Sequence, residues 1–187
     1  ALAEAALRRG AKVILVSGPT ALKRPSSAEV IQVQTAQQMH DAVMSHFDQA
    51  TIVVKAAAVA DFTVRAAADE KIKRKGPMTL ELQPTIDILA ELGTKKGSRI
   101  VVGFAAETTD VLANARKKLE SKSLDAIVLN DVSQPGIGFD SERNAVTILT
   151  HAGAETVPET SKWEVAHRVL DAAVKVKLAR TRQQQSR

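Results

Sequence analysis

The sequence predicts an α/β fold, a Rossmann-like parallel sheet flanked by helices, on the strength of three observations. Short aliphatic runs alternate with amphipathic stretches over about the first sixty residues, the signature of βαβ units with right-handed crossovers. The runs are continuously apolar instead of alternating with polar residues, as strands covered on both faces are. Finally, 44% of the 187 residues are hydrophobic but only 3% are aromatic, so the core must be built from Val, Ile, Leu and Ala. That is the usual filling of a sheet between helix layers, and the length suits one medium domain.

The chain opens in the phase of a helix, over residues 1–10. Leu2, Ala3, Ala6 and Leu7 make one apolar face, Arg8 and Arg9 suit a helix C-terminus, and Gly10 follows as the stop. With neither an initiator Met nor an N-cap ahead of it, this opening reads as a fragment whose preceding strand and loop lie outside the sequence. Residues 12–17 form a buried strand closed by Gly18 and Pro19, and a polar loop leads to a second strand over 30–33. Thr35 can cap a helix with Gln38 at its third position, a capping box, and Met39, Val43 and Phe47 continue the apolar face. Residues 51–59 are the third strand.

The rhythm then breaks into a projecting basic flap over about residues 61–84, in which the charged stretch 69–76 leads to an alternating strand at 78–82. A helix over 85–92, a strand over 99–104, a helix from about 109 to 119 and a strand over 125–129 resume the pattern. Residues 130–144 are turn-rich, with Pro135, Gly136 and Gly138. The fold closes with a C-terminal hairpin, 145–149 against 155–157, and a helix from about 162 to 178 capped by Ser161. The expected domain is therefore 1–178, and 179–187, with Arg180, Arg182 and Arg187, is expected to be a disordered basic tail.

Composition excludes several chemistries. There is no Cys, which removes disulfides, thiolate nucleophiles and Cys-ligated metals, and fits a reducing, cytoplasmic setting. The longest apolar runs, such as 51–59, fall far short of the ~18 residues of a membrane span. His40, His46, His151 and His167 lack metal-ligand spacing, and neither a Gly-x-Ser-x-Gly elbow nor a Gly-x-x-x-x-Gly-Lys-Ser/Thr loop is present. The net charge of +5 admits a nucleic-acid partner, but basic residues without interleaved aromatics make a poor platform for stacked bases.

Ligands of open α/β sheets bind beyond the carboxyl ends of the strands, so the residues there come first. They are Ser17-Gly18-Pro19, Ala57 to Phe62, Gly103 to Thr108 and Asn130 to Ser133. Their small side chains either let a ligand reach the backbone or simply pack strand against helix. Lys71, Lys73, Arg74 and Lys75 place +4 within five residues, either a solvated face or a flap closing over polyphosphate. Asp61 stands at a strand end, where a carboxylate near polyphosphate can hold Mg2+. Asp87, in the first turn of the next helix, is either a ligand-side carboxylate or a partner of the helix dipole. Lys118 and Lys122 share a helix face and either read a nucleobase beside the apolar wall of Phe104 or form a solubilising stripe with Arg116 and Lys117.

Taken together these motifs resemble the phosphopantothenoylcysteine synthetase domain of bacterial bifunctional coenzyme A biosynthesis proteins. The carriers are Arg9-Gly10-Ala11, Val16-Ser17-Gly18-Pro19, Ala57-Ala58-Val59-Ala60-Asp61-Phe62, Glu70-Lys71-Ile72-Lys73-Arg74, Asp87-Ile88-Leu89, Val102 to Thr108, Asn130-Asp131-Val132-Ser133, and Gly138-Phe139 with Asn144-Ala145-Val146. The resemblance implies ligation of 4′-phosphopantothenate with L-cysteine through an acyl-cytidylate, with CTP as co-substrate and Mg2+ as cofactor. It also implies a homodimer formed through the flap, and a flavin only in an attached decarboxylase half, where one is present. Residue by residue, it makes Lys71 the essential flap lysine, with Lys73 and Arg74 beside it on the phosphates. Arg74 departs from the family's Lys. Asp61 lies near nucleotide and metal, Asp87 on the triphosphate side, Ala57, Phe104, Lys118 and Lys122 around the cytidine, and Ala58 beside the acyl intermediate. Ile86 replaces the family's Pro before Asp87. The family's Ser-Asn-x-Ser-Ser-Gly-Lys-Met-Gly loop, which precedes the first helix and whose Asn handles the acyl-cytidylate, is not in this sequence, so turnover of the chain as given is expected to be impaired.

Two other readings compete. A nicotinamide-dependent oxidoreductase of the same fold class should end its second strand on an acidic residue to hold the ribose, and here Val33-Gln34-Thr35 stands there. A non-enzymatic nucleic-acid-binding module would show steep salt dependence and no CTP binding.

Overall fold

Strand alternation decides how this chain divides its core. In the computed structural model, which describes residues 1–66, 68, 70–74, 76–107, 110–131 and 141–185, the principal sheet runs in the order β3 (Ile52–Lys55), β6 (Ile100–Glu107), β7 (Ala126–Asp131), β8 (Arg143–Thr150), β9 (Gly153–Ser161). Along β6, Val101 faces one side while Ile100 and Val102 face the other; along β7, Ile127 and Leu129 oppose Ala126 and Val128. Both faces are apolar because both are covered. One carries α2 (Ala36–Phe47), α3 (Ile88–Lys95) and α4 (Val111–Ser121), the other the long α5 (Lys162–Gln185), against which α1 (Leu2–Arg8) packs.

The predicted α/β class holds, but the sheet is mixed. β3, β6 and β7 are parallel, whereas β8 and β9 add antiparallel strands at one edge. β1 (Ile14–Ser17) and β2 (Glu29–Gln32) form a separate parallel pair. Val16 and Ile31 of that pair pack on the same core as Val53 of β3, yet no hydrogen-bonded ladder joins β1 to β3 among the described residues.

The capping box at Thr35 forms as the sequence indicates: its hydroxyl accepts from the Gln38 amide at 3.1 Å, while Gln38 reaches back to the Thr35 amide at 3.2 Å. Elsewhere the boundaries move. The third strand stops at Lys55, where 51–59 was expected, and the flap's strand is not 78–82: a ribbon pairs β4 (Phe62–Val64) with β5 (Leu82–Pro84). The closing hairpin extends well beyond the expected residues. The turn-rich stretch 132–140 lies outside the described residues.

The largest correction concerns the tail. Residues 179–185 are the last turns of α5, held by a reason that composition hides. Arg180 reaches the buried carboxylate of Asp125 and donates to the Arg99 carbonyl at 3.1 Å. Arg180 is thus part of the folded body, and Arg187 lies outside the described residues.

Candidate functional site: a lysine-lined pocket at the carboxyl end of the sheet

Where β3 runs out beside Phe104 and Ala105 of β6, the chain opens a cavity of about 300 Å3. Lys55 ends β3, Asp61 follows on the next segment, Phe104 comes from β6, Asp87 sits at the start of α3, Lys118 comes from the last turn of α4 and Lys122 is its C-cap. Val59, Ile88, Leu89 and Ile127 supply apolar walls. Three lysines and two aspartates converge from four segments, at the place where open α/β sheets bind ligands.

Asp87 shows how local structure builds the site. Its backbone is non-helical and its Oδ1 accepts from the Ala90 amide at 3.0 Å, so it is the N-cap of α3 and not a residue of the first turn. Its Oδ2 is 2.8 Å from Lys122 Nζ. Partial burial pushes the carboxyl up, but the hydrogen bonds from Lys122 and the Ala90 amide outweigh it and hold Asp87 below the usual aspartate value. Asp87 is thus a partner of the helix N-terminus, and it also lines the cavity.

Lys122 can reach Asp87 because α3 and the end of α4 touch at backbone distance. A Cβ at Gly93 would lie 1.8 Å from the Lys122 carbonyl oxygen, so only glycine allows this approach. Gly103 has a similar role: a Cβ there would meet Leu89 Cδ2 at 2.7 Å, and Leu89 lines the pocket. Thr85 ties the far rim together, its hydroxyl donating to the Ala60 carbonyl at 2.5 Å and its amide to the Asp61 carbonyl at 2.9 Å.

Of the residues singled out from sequence, Asp61, Asp87, Phe104, Lys118 and Lys122 line this one cavity. Ala57 and Ala58 do not; they sit exposed on the segment just after β3, with the Ala57 carbonyl accepting from Lys55 Nζ at 2.9 Å. Lys71, Lys73 and Arg74 are exposed between β4 and β5, away from the lining, and Lys75 lies outside the described residues. So do Thr108, Val132, Ser133, Gly138 and Phe139. Sequence reasoning missed Lys55 and Thr85. The signal for Lys55 was present, as the only charged residue within the apolar run 51–59.

Among the described residues no group of three or more His, Asp or Glu side chains is gathered as a metal cage. No helix among them is long and apolar enough to cross a membrane. β2 ends at Gln32, and the Thr35 that follows is occupied in capping α2.

The chain is 52% identical over 173 residues to the coenzyme A biosynthesis bifunctional protein CoaBC of Bacillus subtilis, covering 91% of this chain and 43% of that protein. It is 50% identical over 153 residues to a cysteine/cysteine sulfinic acid decarboxylase of an unknown prokaryotic organism, covering 80% and 42%. The chain thus spans less than half the length of these relatives, whose names describe whole proteins. Among solved structures, that of the C-terminal domain of CoaBC superposes with a TM-score of 0.78 at 37% identity, over 95% of this chain and 79% of that one. Residues 1–176 match the model of one family, and the chain accordingly belongs to the DNA/pantothenate metabolism flavoprotein C-terminal domain family.

Proposed function

We propose that this domain carries out the CTP-dependent ligation of 4′-phosphopantothenate with L-cysteine in coenzyme A biosynthesis. The observation that carries the reading is the pocket: Phe104, Lys118 and Lys122 converge with Asp61 and Asp87 beside the end of β3, at positions where the sequence resembles cytidylate-forming synthetases. The relationship to CoaBC supports the pathway.

The chemistry proceeds in two displacements. A substrate carboxylate oxygen attacks the α-phosphorus of CTP; the new O–P bond forms as the bond to the β-phosphate oxygen breaks and pyrophosphate leaves. The amine of cysteine then attacks the acyl carbon, an amide forms, CMP departs and the amine proton is released. A free carboxylate is a poor acyl donor because its oxygen is a poor leaving group, and cytidylation corrects this. Charge accumulates on the departing phosphates, so cations positioned in advance lower the barrier.

In this reading Lys118 and Lys122 hold the cytosine end with Phe104 as its apolar wall, while Asp87 fixes the Lys122 ammonium. Ala57 completes the nucleotide pocket, and Ala58 lies beside the acyl group. Lys71, Lys73 and Arg74, exposed on their segment, fold over the phosphates, with Lys71 the essential residue. Asp61 would hold Mg2+, which is typically bound by one or two carboxylates plus substrate phosphates and water. One carboxylate facing the cavity fits that pattern, and the ion would neutralise phosphate charge.

The β4–β5 ribbon leaves Phe62 and Leu82 more than half exposed, with Met78 and Leu80 beside them equally bare. Such a surface favours assembly as a homodimer through the flap. A flavin would belong only to an attached decarboxylase half, where one is present, and the proposed compartment is the cytoplasm.

Calorimetric titration with CTP, ATP and NADH in the presence of Mg2+ tests this. CTP is expected to bind in preference to both, and more weakly to Lys71→Ala. Preference for NADH, or tight salt-dependent binding of nucleic acid with no response to CTP, overturns it.

A further inference from the structure

The pocket contains a cation that the reading above does not use. Lys55 is the last residue of β3, and strand alternation aims it: Ile52 and Val54 pack toward α5, Val53 packs toward α3 and α4, and Lys55 follows Val53 on that side. Beyond Val53 the core ends and the cavity begins. On β6 its register partner is Gly103, which bears no side chain to cover it. Lys55 therefore stands at the floor of the pocket, with its ammonium donating to the neutral Ala57 carbonyl.

A lysine here is costly without an anion. Burial pushes its pKa below the ordinary lysine value, and the field of Lys122 acts in the same direction, while Asp87 and Asp61 pull the other way. Asp87 is already engaged by Lys122 at 2.8 Å. An apolar side chain would continue β3 at no such cost, and among the described residues the Lys55 ammonium is joined to a carbonyl and not to a carboxylate.

We infer that Lys55 is a ligand-contacting cation: it swings from the Ala57 carbonyl onto a phosphate or carboxylate oxygen of the anionic ligand. The inference rests on the proposed binding of phosphorylated substrates. Its two possible sources are the nucleotide and 4′-phosphopantothenate. The alternative is structural, in which Lys55 merely fastens the 56–60 segment through Ala57.

Calorimetric titration of wild type, Lys55→Met and Lys55→Gln with CTP–Mg2+, 4′-phosphopantothenate and uncharged cytidine separates these readings. Gln retains a side-chain donor for the Ala57 carbonyl without the charge. Both variants are expected to lose roughly tenfold or more in affinity for the phosphorylated ligand that lies over residue 55, the size of one lost charge-assisted hydrogen bond. Cytidine affinity should be unchanged, and Lys55→Arg should retain most of the binding. The ligand that suffers the loss identifies the source. Unchanged affinity of Lys55→Gln for both phosphorylated ligands, or an equal loss for cytidine, overturns the assignment. If wild type ignores both phosphorylated ligands, the functional reading itself fails; if wild type binds and the variants match it, only the role of Lys55 does.

Discussion

Two aspartates, at opposite ends of the same sheet, each meet a lysine at 2.8 Å, yet they do different work. Asp125, ahead of β7, is 1% exposed, and it also accepts from Arg180 and from the Val101 amide at 2.8 Å. Every lone pair that matters is used, and the group joins α5 to the amino end of the sheet. Asp87, at the carboxyl end, is 52% exposed and shares its side of the molecule with lysines in excess of its charge. The same pair of functional groups is architecture where it is buried and saturated, and in the proposed function it is a binding surface where it is half-open and cation-rich.

The largest effect should come from the buried end. Asp125→Ala leaves Lys96 and Arg180 facing an emptied acceptor site, and breaking a buried pair from one side costs about 3–5 kcal/mol. Urea unfolding followed by circular dichroism measures it, and a loss below about 1 kcal/mol would place Asp125 in the class of surface pairs. Next comes Gly93→Ala, which pushes a methyl group into the Lys122 backbone. Overpacking of this kind costs about 1–3 kcal/mol, and here it should also shift Lys122 from Asp87 and weaken CTP binding. A destabilised variant with intact affinity would show that the close approach serves packing alone.

Lys122→Met is expected to change stability by less than about 1 kcal/mol, since its pair is half-open. Nucleotide affinity should fall about tenfold, as for a lost charge-assisted hydrogen bond. The smallest effect concerns His40, which joins α2 to α3. Asp41 beside it, and then Glu91 at 2.9 Å, hold its pKa above the ordinary histidine value against some desolvation. A raised pKa gives stability that is fully present below the ordinary value and is lost as pH rises through the raised one. Asp41 is exposed and Glu91 only partly buried, so the slope is shallow. It should flatten in His40→Gln when unfolding midpoints are compared across neutral pH, and an unchanged slope would exclude this link.

The two ends also differ in how legible they are. The lining of the cavity could be read because it falls on local motifs: Asp61 follows an apolar run, Phe104 stands within one, and Lys118 and Lys122 are spaced for one helix face. The fold class followed from the same runs. The Asp125 cluster was invisible, because Arg180 is 55 residues from its partner in a segment whose composition reads as disordered. No window of local sequence contains both halves of that contact. The direction of β8 and β9 was legible only as a hairpin, and its docking onto β7 required the register of Leu129 with Thr147. Lys55 was missed for the opposite reason: a lone charge in an apolar run reads as noise until the strand is seen to end there.

The most direct test of the division between the two ends is a pair of charge removals measured on the same two axes. CTP–Mg2+ affinity and thermal midpoint are determined for wild type, Lys122→Met and Lys96→Met. The account predicts that Lys122→Met loses about tenfold in affinity with little change in midpoint. It predicts that Lys96→Met lowers the midpoint while the folded protein binds CTP as wild type does. If Lys122→Met binds CTP with wild-type affinity, or Lys96→Met weakens binding as much as it lowers stability, the assignment of one end to the ligand and the other to the fold is contradicted.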